Sequence, residues 1–259
     1  RREGDSTSIS SNLVYDVFED KAGYLWVGTS QGLNRLDPVT GTFTRFPPDP
    51  DDSTSLSGKR VRHIGEDQHG NIWVSVLGGG VNLLDPEKMA FQTYHLVDPD
   101  SFENQNDLYY VNTIGEFTED VANDSILWFP SMHRGLVKLD LRREKMTALI
   151  FPEGMPSPTT HAVFMDQSDE LWVVTWGGGL ARYTPSVDGW EFFYPHPELK
   201  AKGLSKGMTN IVLDIKPRNA EELWLATKND GLLSFNRRTQ TFSFHQPAGV
   251  KSEGLYLDR

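Results

Sequence analysis

The aspartates that precede the repeated tryptophans are the first residues whose type and spacing could do chemistry. Asp20, Asp67 and Asp166 each begin the pattern Asp-x-x-Gly/Asp-x-Leu/Ile-Trp. Carboxylates repeated at one spacing could bind a metal ion or serve as an acid and base pair. An aspartate at the start of a turn also accepts backbone N–H groups, and this structural role is the one we favour. Asn123-Asp124 and Arg218-Asn219 are expected to form the same turn in the two units that lack the pattern.

Other patterns that carry catalytic, phosphate or metal chemistry are missing from the sequence. The chain has no cysteine, which excludes disulfides, thiol catalysis and Cys-based zinc sites. The glycine runs Gly78–Gly80 and Gly177–Gly179 lack the P-loop pattern. The acidic run at residues 48–52 lacks EF-hand spacing, so it is expected to be a solvated loop, and the seven histidines form no known motif. We therefore predict no catalytic residue, no metal ion and no cofactor.

The overall charge argues against one class of partner. The 259 residues carry a net charge of −11, and no cluster of Lys and Arg is visible. Binding of nucleic acid requires a basic face that releases counterions, so nucleic acid is not expected as a partner. No apolar run is long enough to cross a membrane, so this segment is not expected to contact one directly.

The elements that position these residues follow from an internal repeat. Five segments align on Trp26, Trp73, Trp128, Trp172 and Trp224, which are 47, 55, 44 and 52 residues apart. A glycine follows each tryptophan after six or seven positions, at Gly32, Gly80, Gly135, Gly179 and Gly231. A period of this length suits four short strands and their loops, which is the blade of a β-propeller.

Each unit predicts four strands, here called A to D. Strand A is expected at Val14–Phe18, Val61–Ile64, Val111–Ile114, Ala162–Met165 and Ile211–Ile215. Strand B carries the tryptophan, which we expect to fill the space between adjacent blades. In the first unit, strand C is expected at Leu33–Leu36 and strand D at Phe43–Phe46. No helical period appears, so the chain is predicted to be all-β, with repeats at about 11–57, 58–107, 108–158, 159–207 and 208–248.

The repeats resemble the two-component regulator propeller family. Residues Val14 to Phe46 (VYDVFEDKAGYLWVGTSQGLNRLDPVTGTFTRF) match its repeat almost throughout, and Val61 to Tyr94 matches nearly as well. The resemblance implies a periplasmic or otherwise extracytoplasmic sensing module, often for glycans. It also implies neighbouring propeller or Ig-like domains in the same receptor, with a histidine kinase or cyclase domain outside this chain.

The ends of the chain indicate a part of a larger propeller. Asp5–Ser10 matches Asp52–Ser57, so the chain begins inside an inter-blade linker. Residues 249–259 resemble the start of a further blade. We expect a fragment of a larger propeller, for example one of seven blades. A five-bladed ring is the alternative.

A ligand is expected on the face that holds the loops between strands B and C. Framework positions are constant there, so function belongs to the loop residues that vary between units. An aromatic platform with cationic and amide groups suits a polar glycan. The predicted ligand-binding residues are His133, Arg134, Trp176, Lys228, Asn229 and Tyr110.

Three functional classes remain open. The first is a non-catalytic sensor that binds an oligosaccharide or another small polar ligand, and we favour it. The second is a platform for protein–protein interaction. The third is a propeller lyase or glycosidase, which would need convergent acid and base groups near the axis, where strand A offers only Asp16 and Asp214.

Overall fold

The computed structural model describes residues 1–95, 112–113, 116–132, 135–149, 159–196 and 211–245. These residues form strands β1 to β21 and a short 3-10 turn at Pro185–Val187. The predicted all-β class is confirmed. Among the described residues, no helix has the length and apolar character that a membrane crossing requires.

The strands assemble into antiparallel sheets, which we call blades 1 to 5 in chain order. Residues Arg1–Glu116 and Leu139–Thr147 form one compact unit, which contains blades 1 and 2. These two blades have the strand orders β1-β2-β3-β4 and β5-β6-β7-β8. Their strands are β1 Val14–Glu19, β2 Leu25–Thr29, β3 Gly32–Leu36, β4 Phe43–Phe46, β5 Val61–Glu66, β6 Ile72–Val76, β7 Gly80–Asp85 and β8 Ala90–Tyr94.

The second compact unit, Phe117–Lys138 and Ala148–Arg259, contains blades 4 and 5 and the first two strands of blade 3. The three blades have the strand orders β10-β11-β12-β13, β14-β15-β16-β17 and β18-β19-β20-β21. The remaining strands are β9 Asn112–Thr113, β10 Thr118–Glu119, β11 Ile126–Met132, β12 Gly135–Asp140, β13 Lys145–Leu149, β14 Thr160–Met165, β15 Leu171–Thr175, β16 Gly179–Thr184, β17 Gly189–Phe193, β18 Val212–Pro217, β19 Glu222–Thr227, β20 Leu232–Asn236 and β21 Thr241–His245.

The predicted strands agree closely with the observed ones in four blades. In blade 1, strand D is found where it was expected, and strands A and C are each one residue longer than predicted. A feature that the pattern did not predict is a register shift near the start of strand A in blades 1, 2, 4 and 5. An inserted residue of this kind redirects a side chain away from the regular alternation of the strand.

Blade 3 departs from the prediction for strand A. Of the expected strand Val111–Ile114, Asn112–Thr113 form β9, and Val111 and Ile114 lie outside the described residues. The sequence analysis did not predict β10, which pairs with strand B of this blade. Thr118 of β10 lies opposite Trp128, the position that Phe164 holds opposite Trp172 in blade 4. The strand β10 was missed because its residues, Thr118 and Glu119, are polar.

The tryptophans of strand B lie in the cores between successive blades, as predicted, in three cases. Trp26 packs with apolar residues of blade 2, among them Ile64 and Leu84. Trp128 packs in the same way against blade 4, and Trp172 against blade 5. All three are at least 98% buried, so each joins two neighbouring sheets by the removal of a large apolar surface from water.

Trp224 of blade 5 is an exception to the predicted core role. Its side chain is only partly buried, whereas Trp73 is as fully buried as the other three. The Arg218 guanidinium lies 4.4 Å from the centroid of the Trp224 ring. The His245 ring packs edge-on at 5.0 Å. Polar neighbours therefore cover this ring in place of an apolar core.

The glycine after each tryptophan is required by the backbone at the start of strand C. Gly32 has a φ of +113°, which L side chains rarely adopt. A Cβ atom at this position would lie 2.6 Å from the Phe46 carbonyl oxygen of strand D. The repeat therefore keeps glycine both for its conformation and for the close approach of strand D.

Candidate functional site

The candidate site lies at the B–C loops of blades 4 and 5. Three residues predicted for the binding face are described by the structure: Trp176, Lys228 and Asn229. The others, His133, Arg134 and Tyr110, lie outside the described residues. The described part of the predicted face is therefore formed by the loop that follows β15 and the loop that follows β19.

Both loops are fixed by the same backbone hydrogen bond. The Trp176 N–H donates to the Thr159 carbonyl oxygen at 3.0 Å, just before strand A of blade 4. The Lys228 N–H donates to the Ile211 carbonyl oxygen at the equivalent position of blade 5, also at 3.0 Å. The repeat thus places the first residue of each loop at a defined point, from which its side chain projects.

Trp176 and Lys228 are in contact across the two blades. The Lys228 ammonium nitrogen lies 4.5 Å from the centroid of the Trp176 ring. This distance is within the range of a favourable cation–π interaction. Trp176 is partly buried and Lys228 is exposed, so the pair presents an aromatic surface and a cation to solvent. Asn229 follows Lys228 and is also exposed.

His161 completes this cluster and was missed by the sequence analysis. Its ring centroid lies 5.4 Å from that of Trp176, with the planes inclined by 33°. His161 is the residue at the register shift between Thr160 and Ala162, and this shift accounts for its departure from the regular alternation of strand A. Nothing in the spacing of the apolar residues marks such a shift.

The environment of His161 favours the neutral imidazole. Its Nε2 atom is buried and has no hydrogen-bond partner in the described structure. Burial lowers the pKa of His161 below its ordinary value of 6.5, because the charged ring would lose hydration. At neutral pH the site therefore combines a neutral imidazole and an indole with the single positive charge of Lys228.

A carboxylate and a second histidine lie in the adjoining part of blades 4 and 5. Asp230 follows Asn229, and its Oδ1 atom lies 3.1 Å from the Nε2 atom of His196. The His196 ring also packs against Phe244 at 5.4 Å. These contacts add hydrogen-bonding groups and an apolar ring to the same ends of the strands.

The repeated aspartates have the structural role that we favoured. In blade 1 the Asp20 Oδ1 atom accepts the N–H groups of Ala22 and Tyr24, at 3.0 and 2.9 Å. Its Oδ2 atom accepts the indole N–H of Trp26 at 2.7 Å. Asp67 and Asp166 bind their tryptophans in the same way. We call this arrangement the Asp–Trp clasp: one oxygen on the turn and the other on the core tryptophan.

The clasp also exists in blade 3, where the sequence analysis placed the turn on Asn123-Asp124. Asp120 supplies the carboxylate, with Ala122 and Asn123 on Oδ1 and Trp128 on Oδ2. Asn123 adds hydrogen bonds to Ser125 within the same turn. The prediction missed Asp120 because this turn is two residues longer than the others.

Asp16 and Asp214, the two acidic residues of strand A, accept hydrogen bonds from neighbouring residues of the protein. The Asp16 Oδ2 atom lies 2.9 Å from Nδ1 of His63 and accepts the Ile64 N–H at 2.8 Å, so it joins blades 1 and 2. The Asp214 Oδ1 atom accepts the N–H of Ile215 at 2.8 Å.

Among the described residues, no group of three His, Asp or Glu side chains could hold a metal ion. In the acidic run 48–52, the carboxylates of Asp49 and Asp52 accept backbone N–H groups of Asp51 and Thr54.

The comparison with protein families supports the relationship inferred from the repeats. Residues 8–31 match the family model of the two component regulator propeller. This stretch runs through β1 and β2 and contains the Asp20–Trp26 clasp. Residues 8–31 are thus similar to part of a two component regulator propeller repeat. No curated protein matches the chain.

Solved structures with a similar fold are β-propellers of signalling and other proteins. One is the extracellular domain of the proposed hybrid two component system BT3049 from B. thetaiotaomicron, with a TM-score of 0.73 and 20% identity over 97% of this chain. The corresponding domain of BT4673 has a TM-score of 0.72 and 20% identity over 96%. The β-propeller domain of Myceliophteria thermophila Cps50 (Swd1) has a TM-score of 0.59 and 15% identity over 88% of this chain and 66% of its own.

These likenesses establish the propeller fold. This chain covers 31% of the BT3049 domain and 32% of the BT4673 domain. It therefore spans about a third of the length of these two extracellular domains.

Proposed function

We propose that the chain is a non-catalytic sensing module of an extracytoplasmic signal-transduction receptor. Its ligand is an oligosaccharide, bound at the B–C loops of blades 4 and 5. The observation that carries this proposal is the cluster of Trp176, Lys228 and His161, in which an indole ring contacts a cation and a neutral imidazole, with Lys228 and part of Trp176 exposed to solvent.

The chemistry of the cluster fits a sugar better than a strongly charged ligand. The C–H face of a pyranose packs on an indole, and its hydroxyl groups pair with amide, ammonium and imidazole groups. Lys228 is the only charge in the three-residue cluster, and the Trp176 ring already stabilises it. A hydroxyl group of a sugar can therefore bind to Lys228 without displacing an ion pair.

The comparisons support the sensing role and its location outside the cytoplasm. The regulator propeller repeat at residues 8–31 and the fold shared with extracellular domains of two component systems point in the same direction. In such a receptor, the remaining propeller, Ig-like and output domains would lie beyond this chain. Binding would reach them through contacts between domains, without any reaction in the module.

The test is a thermal-shift screen of the chain against oligosaccharides, with Trp176→Ala and Lys228→Ala measured in parallel. A ligand that binds only the native state raises the melting temperature by mass action. We expect at least one sugar to raise it by several degrees, about 2–4 °C for each 1 kcal/mol by which the bound sugar stabilises the native state. Trp176→Ala should abolish this shift, and Lys228→Ala should reduce it, because each removes one wall of the site.

Lys88→Ala is the matched control for the loss of positive charge. Lys88 is exposed and pairs with Asp85 in the C–D turn of blade 2. Its replacement should leave the sugar-induced shift unchanged. A shift that survives both site variants would contradict this location, and the absence of any shift would favour a protein partner instead.

A further inference from the structure

A second concave site lies at the other ends of the strands in blades 4 and 5. It is a cavity of about 820 Å³ beside the A–B and C–D turns, whereas Trp176 follows the opposite end of β15. Its walls include Asp166, Glu170, Arg182 and Arg237. The volume is within the range of sites that bind small molecules.

The same repeat positions enclose much less space in blades 1 and 2. There the groove measures about 170 Å³. Tyr24 lines it, and the Arg35 guanidinium stacks on the Tyr24 ring at 4.6 Å. Glu170 stands at the position of Tyr24 in blade 4, and Arg182 stands at that of Arg35. A cation–π pair in blade 1 is thus replaced by an ion pair in blade 4, and the cavity there is larger.

A second substitution in the repeat brings another guanidinium into the cavity. The C–D turn of blade 5 reads Asn236-Arg237, where blade 2 has Asp85-Pro86. The Arg237 Nη1 atom donates to the Asp166 Oδ2 atom at 2.7 Å, the oxygen that also accepts the Trp172 indole N–H. Its Nη2 atom donates to the backbone oxygen of Ala220. The cavity wall is therefore connected to the clasp of blade 4.

Four of the six charged side chains that line the cavity are paired with one another, and the other two are Glu221 and Arg238. The Arg182 Nη1 atom lies 2.8 Å from the Glu170 Oε1 atom, and the two side chains are 22% and 25% exposed. Arg237 pairs with Asp166, and their side chains are 19% and 5% exposed. An anionic ligand would compete with these carboxylates for the guanidinium groups. A hydroxyl group can accept from the guanidinium and donate to the carboxylate of one pair.

Apolar side chains also line the cavity. They are Phe164 and Met165 of strand A in blade 4 and Val121 of blade 3, which is 55% exposed. A saccharide presents apolar C–H faces and hydroxyl groups together, which matches this combination of apolar and paired polar walls.

We propose that this cavity binds a neutral oligosaccharide. The cavity uses neither Trp176 nor Lys228, so this inference does not rest on the site at the B–C loops. A chain with both sites would bind one sugar chain at each end of the strands of blades 4 and 5.

The test is calorimetric titration of the Trp176→Ala and Lys228→Ala chains with cellohexaose, xylohexaose and mannohexaose. The Trp176→Ala chain is expected to have lost binding at the B–C loops, so binding to this chain is assigned to the cavity. The Lys228→Ala chain should show the same binding at the cavity, in addition to any weakened binding at the B–C loops. We expect at least one of these hexasaccharides to bind, with one molecule bound per chain.

Ser168→Trp, in the A–B turn that lines the cavity, should weaken binding by about tenfold or more, because the tryptophan ring fills the space of the ligand. Glu170→Gln should weaken it as well, by about tenfold, because it removes the charged acceptor.

Ala22→Trp is the matched control for the bulky substitution. Ala22 and Ser168 each stand two residues after the clasp aspartate and donate a backbone N–H to it. Ala22→Trp should leave the affinity unchanged, and the melting temperature of each variant shows that it is folded. Absence of binding in both backgrounds, equal binding to Ser168→Trp, or binding restricted to the acidic hexamer of galacturonic acid would overturn the proposal.

Discussion

Asp169 is a residue whose charge is held in an unfavourable place. It has a φ of +60°, and its Oδ1 atom is buried without a hydrogen-bond partner in the described structure. Burial, together with the nearby carboxylates of Asp120 and Asp166, raises the pKa of Asp169 above its ordinary value of 3.8. The ionised form is therefore less stable in the folded protein than in the unfolded chain.

Replacement of Asp169 by asparagine is predicted to stabilise the protein at neutral pH. Asparagine tolerates the left-handed backbone and carries no charge. We expect the melting temperature to rise by roughly 1–3 °C at pH 7.5. Because the pKa of Asp169 is higher in the folded state, its carboxylate lowers stability above that pKa and has no such effect below 3.8. The gain should therefore disappear when the melting temperatures are measured at pH 3.5.

Asp51→Asn provides the control for the loss of one negative charge. Asp51 is exposed in the acidic linker between blades 1 and 2. Its replacement should change the melting temperature by less than about 1 °C, as for ordinary surface substitutions. A lower melting temperature for Asp169→Asn at pH 7.5, or a gain that persists at pH 3.5, would show that another interaction of Asp169 dominates.

Individual residues of the candidate site differ in how far the sequence reveals them. Trp176 was predicted because a large aromatic residue beside a glycine run is outside the strand pattern. His161 was not, because it lies inside a predicted strand and reaches Trp176 only through a register shift of the backbone. Such a shift depends on the pairing of two strands, which the spacing of apolar residues within one strand does not record.

At the scale of single elements, the Asp–Trp clasp determines the A–B hairpin. In blade 2, Asp67 is 2% exposed and its Oδ1 atom accepts the N–H groups of His69 and Asn71, both at 2.9 Å. Its Oδ2 atom accepts the Asn71 side-chain N–H and the Trp73 indole N–H. All these partners are donors, so both oxygens must act as acceptors.

Asp67→Asn is predicted to destabilise the protein strongly despite its similar shape. In the variant, the amide oxygen of residue 67 would accept the N–H groups of the turn, and its NH2 group would face two other donors, the Asn71 side chain and the Trp73 indole. The buried indole N–H would then have no acceptor. Loss of hydrogen bonds to a buried charged acceptor costs about 2–4 kcal/mol of unfolding free energy. Urea denaturation followed by tryptophan fluorescence measures this loss.

The C–D turn of the same blade offers a matched control. The Asp85 Oδ1 atom accepts the N–H groups of Glu87 and Lys88, while its Oδ2 atom binds only the exposed Lys88 ammonium among the described contacts. Asp85→Asn keeps the turn and gives up one surface ion pair, so it should cost less than about 1 kcal/mol. Equal losses for the two variants would show that the tryptophan bond contributes little.

Strands and turns were predictable to the extent that each repeat follows the common pattern. The alternation and spacing of residues in blade 1 predicted both ends of strand D correctly. In blade 3 the turn before Trp128 has two extra residues and strand A is polar, so both Asp120 and β10 were missed. In blade 5 the tryptophan was recognised, but its polar neighbours Arg218 and His245 were not, because they come from a turn and from strand D.

At the scale of the whole molecule, the repeat alone was sufficient for the fold class. Five tryptophans in phase predicted the five sheets, and the structures that share this fold are propellers. The repeat does not predict the ligand, because the side chains of the loops determine what binds and the framework does not constrain these side chains. The Trp176 cluster and the cavity with paired charges depend on residues of blades 4 and 5 that differ from the common pattern of the repeat. The consensus of the repeat could therefore not predict them.

The distribution of charge gives a last prediction for the whole chain. Several arginines have partners other than solvent: Arg182 and Arg237 pair with carboxylates, and Arg35, Arg62 and Arg218 stack on aromatic rings. With a net charge of −11, the chain repels a polyanion, and these arginines are less available to replace its counterions.

We therefore predict that fluorescence anisotropy with labelled single- and double-stranded 20-mers will show no binding tighter than about 100 μM at 50 mM salt. Non-specific DNA-binding proteins reach about 1–100 μM even at physiological salt, and lower salt strengthens such binding because more counterions are released. A basic DNA-binding protein measured beside the chain verifies the assay. Binding of the chain that weakens steeply between 50 and 200 mM salt would reveal a basic face and contradict the exclusion of nucleic acid. The absence of binding would agree with the neutral, hydroxyl-rich ligands that we propose for the two sites on blades 4 and 5.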